Sequence, residues 1–141
     1  MAVNEETWKF MQQHLGYTDA ELEKFRNNPK NVDIMSKAPG LMNKTIVAEV
    51  VASHGCASQH HVGDKLYFDG AGNLITKLNP KRICVLVLSV LSGPMVVVNE
   101  FFYAGVDPNE MRLNRVGCFD VGVHCVGWGH IAMEIKVEVR K

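Results

Sequence analysis

Nearly all the soft and titratable chemistry of this chain lies in two short stretches, His54-Gly-Cys56-Ala-Ser-Gln-His60-His61-Val-Gly-Asp64 and Cys118-Phe-Asp120-Val-Gly-Val-His124-Cys125. Five of the six histidines and three of the four cysteines fall in them or within a few residues of them, so one site is expected. Thiolate and imidazole are the ligands that borderline-soft metals prefer, and a thiol beside an imidazole is also the pairing of nucleophilic catalysis.

The simplest chemistry for this set is a mononuclear metal site. Cys56, His60 and Cys118 are the expected ligands, with His124, His61 or His54 as a fourth ligand or supporting group. Zinc is the expected metal and iron the alternative, because ligand type does not separate them. Two thiolates and one imidazole leave a coordination position open for water or a substrate carbonyl. Asp120 is placed to orient a ligand or act as general base, and His124 and His61 are the other catalytic candidates. The expected function is therefore a metal-dependent enzyme that hydrolyses, hydrates or enolises a small carbonyl compound. Two alternatives stand beside it: a non-catalytic metal- or ligand-binding protein with a structural Cys/His site, and a metal-free enzyme with Cys56 as nucleophile. The Cys-x-x-x-His spacing alone fits many loops, and its weight comes from coincidence with Cys118 and His124.

These residues must be held by helices and strands that the pattern predicts in turn. Trp8, Met11 and Leu15 recur at helical spacing before Gly16, and Thr18 with Glu21 forms a capping box for a second helix ending at Asn27-Asn28-Pro29. A third short helix is expected within Asn31–Met42, interrupted by Pro39-Gly40. From Lys44 the pattern turns to strands: Thr45–Ser53, which runs into the first stretch, then Lys65–Phe68 and Leu74–Leu78 as a hairpin around a glycine-rich turn. Asn79-Pro80 reads as the cap and first position of a buried helix ending near Gly93-Pro94, and Met95–Tyr103 leans to helix. Val116–His124 is expected as a strand with Cys118, Asp120 and His124 on one face and Phe119, Val121 and Val123 buried on the other, with Cys125 a small buried hydrophobe. Ile131, Met133, Ile135, Val137 and Val139 alternate with Ala132, Glu134, Lys136, Glu138 and Arg140 in a last strand. Gly63-Asp64 reads as a tight turn, Cys84 as a packed thiol, and His14 and His130 as surface or strand-edge residues.

The fold class that follows is α+β: a helical N-terminal cap (1–43) on a small, mainly antiparallel sheet with one buried middle helix (44–141), in a single 141-residue domain. Fifteen basic and fifteen acidic residues leave no net charge, so a basic stripe for nucleic acid is missing. The apolar run Ile83–Leu91 is too short for a bilayer span, and the acidic N-terminus is unlike a signal peptide. The expected setting is cytoplasmic, where cysteines are free thiols or metal ligands, with a small-molecule substrate and no nucleic-acid or membrane partner. The apolar excess in Ile83–Leu91 and Met95–Phe102 predicts a homo-oligomer.

Cys56-x-x-x-His60-x-x-Gly63-Asp64, Cys84 at the start of the middle helix and Cys118-Phe-Asp120 resemble the marks of a family of small, mostly uncharacterised prokaryotic proteins. Those proteins carry a Cys-x-x-Gly-His-x-x-Gly-Asp motif and a late Cys-Pro-Asp. The resemblance covers residues 44–140; Gln59 stands where the motif has Gly and Phe119 where it has Pro. It implies that Cys56, His60, Cys84, Cys118 and Asp120 matter, and it names no reaction.

Overall fold

The computed structural model describes residues 2–140. The chain forms two compact units, residues up to Leu41 and from Met42 onward. In the first, α1 (Glu5–Leu15) is capped by the Asn4 side chain and stopped by Gly16 in the left-handed conformation. The expected capping box opens α2 (Asp19–Arg26): Thr18 Oγ1 accepts from Glu21 N, and Glu21 returns a carboxylate oxygen to Thr18 N. Arg26 donates to Glu5 from both terminal guanidinium nitrogens and lies over the Trp8 ring, tying α2 to α1. A third helix, α3 (Pro29–Met42), runs through Pro39 instead of breaking there.

The second unit is a four-stranded antiparallel sheet covered by one helix, in an α+β architecture. Strands β1 (Lys44–His54), β2 (Lys65–Asp69), β3 (Arg115–Gly117) and β4 (His130–Val139) pair in the order β2-β1-β4-β3. β1 is central because its β-branched, apolar residues suit a strand paired on both edges. Ile46, Ala48 and Val50 of β1, Leu66 and Phe68 of β2, and Ile131, Met133 and Ile135 of β4 form one core face. Val87, Leu91 and Val98 of α4 (Val85–Tyr103) close over it. The period-2 pattern of β4 thus does what alternation predicts near its start, with burial fading toward Val139.

Four local expectations are corrected. The middle helix begins at Val85, six residues after Asn79, and continues through Gly93-Pro94 to Tyr103. Burial of Val87, Leu91 and Val98 on one sheet spans the proline, so packing holds together what local breakers would divide. That helix is not buried throughout: Val85, Leu86, Val96 and Val97 are exposed. At 19 residues, it is among the described residues the one helix long and apolar enough to cross a membrane, yet its inner face belongs to the core. Asn79 caps no helix; its side chain binds the Tyr67 N–H and the Tyr67 and Ile75 carbonyls, holding the turn after β2. Leu74–Leu78 contributes a single bridge, Phe68 to Leu74, in place of a strand.

A fifth correction concerns the second stretch. β3 ends at Gly117, and residues 118–129 form a loop with a 3-10 turn at Val123–Cys125. Phe119, Val121 and Val123 are exposed, as is Cys125. Alternation here belongs to a loop whose backbone amides turn inward, as the site makes plain.

Candidate functional site

The two stretches meet where β1 and β4 end together. The last pair in their register is His54 with His130, after which β1 runs on into Gly55-Cys56, and Trp128-Gly129 leads into β4. Gly55 has φ +68, and a Cβ at Gly129 would stand 2.0 Å from Gly55 O, so the two loops touch backbone to backbone. Only glycine at position 129 allows that approach.

This contact helps frame a cavity of about 220 Å³ lined by Cys56, Cys84, Cys118, Asp120, His130 and Ile131, with Ala57, Ser58, Leu86, Val87 and Gly129 completing the wall. Three of the four thiols therefore face one space, and all three also pack against the hydrophobic core. Each arrives differently: Cys56 from the loop after β1, Cys118 directly after β3, and Cys84 as the residue capping α4.

Cys84 is the thiol whose surroundings favour the anion. Burial, the largest single influence, pushes its pKa up, but the Leu86 and Val87 amides at the open end of α4 and the Ser58 hydroxyl together outweigh it and hold the thiol below its ordinary value. The sulfur makes no cap hydrogen bond, and the Val87 amide donates to the Cys84 carbonyl at 3.1 Å, so the thiol feels the helix end through its partial charge.

Cys118 Sγ accepts from Ile131 N at 3.4 Å and lies 3.6 Å from His130 Nδ1. That imidazole nitrogen also meets the Asp120 carbonyl; a carbonyl only accepts, so Nδ1 carries the proton and Nε2 is left as the basic atom. The ring lies over Gly117, where a Cβ would come within 2.7 Å of it.

Asp120 is engaged on both carboxylate oxygens. Oδ1 accepts from Gly122 N and Trp128 N, both at 3.0 Å, and Oδ2 from Gly129 N at 3.1 Å. The amides of Gly122, Gly129 and Trp128, in that order of effect, lower its pKa. A carboxylate so held is a clamp for the 120–129 loop, and its oxygens are spent on that task.

His60 is buried, and its Nε2 accepts the Cys84 N–H at 3.2 Å while its carbonyl accepts from Ser53 Oγ at 2.6 Å. It lines a separate open cleft with Asp64, Lys65 and Arg82 and ties the Cys56 loop to the start of α4. Its Nε2 lone pair is thereby used. His61 is exposed, with its N–H donating to Asp64 Oδ2, the tight turn expected at Gly63-Asp64. His124 is exposed and stacked on His54, with ring centroids 6.4 Å apart.

Of the expected ligands, then, Cys56 and Cys118 share the cavity, whereas His60 does not line it. Among the described residues no group of three or more His, Cys, Asp or Glu is gathered as a metal ion would need. Cys84, which the resemblance marked and the pattern read as a packed thiol, and His130, read as a surface or strand-edge residue, line the cavity as well. The signals for them were the N-cap position of an apolar helix, and the strand register that sets His130 opposite His54.

No family profile, curated protein or solved structure matches the chain.

Proposed function

We propose that this protein reduces a small apolar hydroperoxide by two-thiol chemistry, with Cys84 as nucleophile and Cys56 or Cys118 as the second thiol. The observation that carries this is the convergence of three cysteines on one cavity, one of them favoured as thiolate at the N-terminus of α4. The Cys84 thiolate attacks the terminal oxygen of RO–OH; an S–O bond forms, the O–O bond breaks, and RO⁻ takes a proton to leave as the alcohol. The second thiolate then attacks Cys84 Sγ, expelling hydroxide that is protonated to water and leaving a protein disulfide. Two electrons pass from the two thiols to the peroxide, and an external thiol restores the dithiol form. Ala57, Leu86, Val87 and Ile131 make the wall largely apolar, and the one carboxylate on it is committed to the backbone. Such a wall suits an uncharged organic peroxide over a charged disulfide.

The alternative is a non-redox role in which the same thiols hold a soft ion such as zinc. Their shared cavity favours it; the ungathered ligand set and the occupied His60 Nε2 oppose it.

Both are tested by alkylating the protein with iodoacetamide across a pH series and mapping each cysteine by mass spectrometry. Cys84 should react at lower pH than the exposed Cys125, and cumene hydroperoxide should oxidise Cys84 to a disulfide with Cys56 or Cys118. A Cys84 that needs the same pH as Cys125 or higher refutes the thiolate reading. Stoichiometric metal in protein purified without added metal, lost in Cys56→Ser and Cys118→Ser, establishes the alternative.

A further inference from the structure

The loop that walls the thiol cavity turns its apolar side chains outward. Phe119, Val121, Val123, Val126 and Trp128 are all more than half exposed, Val126 at 98% and Trp128 at 79%. This is a built surface. Asp120 draws the amides of Gly122, Trp128 and Gly129 inward, and Gly127 N closes on Gly122 O at 2.8 Å, so the loop is held as a ring with its polar backbone inside. Val126 sits at φ +70, a conformation β-branched residues avoid, at the point of greatest exposure. The left-handed backbone there ends the 3-10 turn and closes the ring, leaving the Val126 side chain in solvent.

No residue from Val121 to Met133 is charged. The neighbouring wall is similar: α4 opens with exposed Val85 and Leu86, and Leu86 lines the same cavity as Asp120 and Gly129. Just before it, Lys81 and Arg82 are exposed, and at about 3.6 Å of chain per residue they lie within ~11 Å of the Cys84 backbone. Exposed Trp128 and Phe119 around a run uncharged from Val121 to Met133, with Lys81 and Arg82 within three residues of Cys84 on the cavity wall, match the interface of an anionic bilayer in both apolar and electrostatic character.

We infer that the 119–128 loop and the first turn of α4 dock the protein on an anionic lipid bilayer, with Trp128 and Phe119 at headgroup level and Val126 deepest. Docking does not depend on the thiol chemistry. A corollary that also rests on the proposed thiol chemistry is that the hydroperoxide comes from the bilayer as an oxidised acyl chain.

The experiment is co-sedimentation with vesicles of phosphatidylcholine, with and without phosphatidylglycerol, alongside Trp emission. Trp8 is buried, so a blue shift on vesicle addition reports Trp128. Wild type is expected to bind the mixed vesicles with that shift. Val126→Asp, which removes no internal packing and suits the left-handed backbone better, should weaken binding at least about tenfold. Lys81→Glu with Arg82→Glu should weaken binding to the anionic vesicles alone. Folded wild type that binds neither vesicle overturns the inference, as does unchanged binding by Val126→Asp. So does a multimeric wild type that Val126→Asp converts to monomer, since the loop would then face a second copy. The Cys84 alkylation profile is read on the same samples, so loss of docking and failure of the thiol chemistry are seen separately.

Discussion

Replacing Gly129 by alanine should separate the two loops that frame the thiol cavity. The added Cβ would stand 2.0 Å from Gly55 O, 2.2 Å from Gly55 C and 2.7 Å from Cys56 N, all backbone atoms that cannot rotate away. Ordinary contact begins at 3.4 Å, so the loops must part by about 1.4 Å. Gly129 lies outside the left-handed region, and alanine there carries no conformational penalty of its own; the cost is contact alone. Overpacking of this kind costs about 1–3 kcal/mol, and each kcal/mol lowers the Tm of a 60–100-residue unit by roughly 4–8 °C. The shift also lengthens the 3.1 Å bond from Gly129 N to Asp120 and draws Cys56 from the cavity wall. Thermal unfolding followed by circular dichroism measures the first effect, and the alkylation rate of Cys56 the second. A variant with wild-type Tm and wild-type Cys56 reactivity would refute the backbone-to-backbone contact on which the site assignment depends.

Leu91→Ala should cost about 2–5 kcal/mol because Leu91 is fully buried, whereas Phe119→Ala, on the exposed loop, should stay within about 0.5 kcal/mol; equal losses would mean the loop packs inward. Asp120→Asn should destabilise at neutral pH and lose that effect in acid. The folded-state pKa of Asp120 is depressed, so its ionised form contributes stability above the unfolded value near 3.8, and that contribution fades as pH falls through the lower folded value. A wild-type advantage undiminished in urea melts well below that pH would show that the carboxylate is not the acceptor.

What the sequence made legible was whatever local rules decide. Thr18 and Glu21 satisfy each other within one turn, and Ile131, Met133 and Ile135 need only a two-residue period to find the core. The meeting of the two Cys/His stretches was legible as a coincidence of chemistry, and the shared cavity of Cys56 and Cys118 agrees with it. The partners within the site were not. That His60 Nε2 is taken by the Cys84 amide depends on a chain separation of 24 residues, and Cys84 becomes the favoured thiolate only because α4 starts there and not at Pro80. The loop after β3 misled for a sharper reason. Alternating apolar and polar residues describe a strand with a wet face, and they equally describe a ring whose carboxylate gathers three amides while its valines face out.

Backbone strain supports the same location independently of any side-chain chemistry. Among the described residues, positive φ outside glycine occurs at Gln59 (+63°) and Val126 (+70°). Each costs roughly 1–2 kcal/mol and persists only where surrounding contacts over-determine it. Those contacts are present in both loops. Gln59 is held by its backbone N–H and its side-chain Nε2, both donating to Cys56 O at 3.1 Å, and the next residue, His60, is locked to Cys84. Val126 is held by the Asp120 clamp on either side of it. A left-handed φ is the conformation glycine adopts most readily, and Gln59 holds it without that freedom. The two strained residues lie one in each of the two loops whose contact frames the thiols, with His60 and Asp120 as their ties. A fold that only needed to connect β1 to β2 and β3 to β4 could do so with relaxed turns. That both loops are instead held strained against each other is what the proposed use of the cavity between Cys56, Cys84 and Cys118 requires.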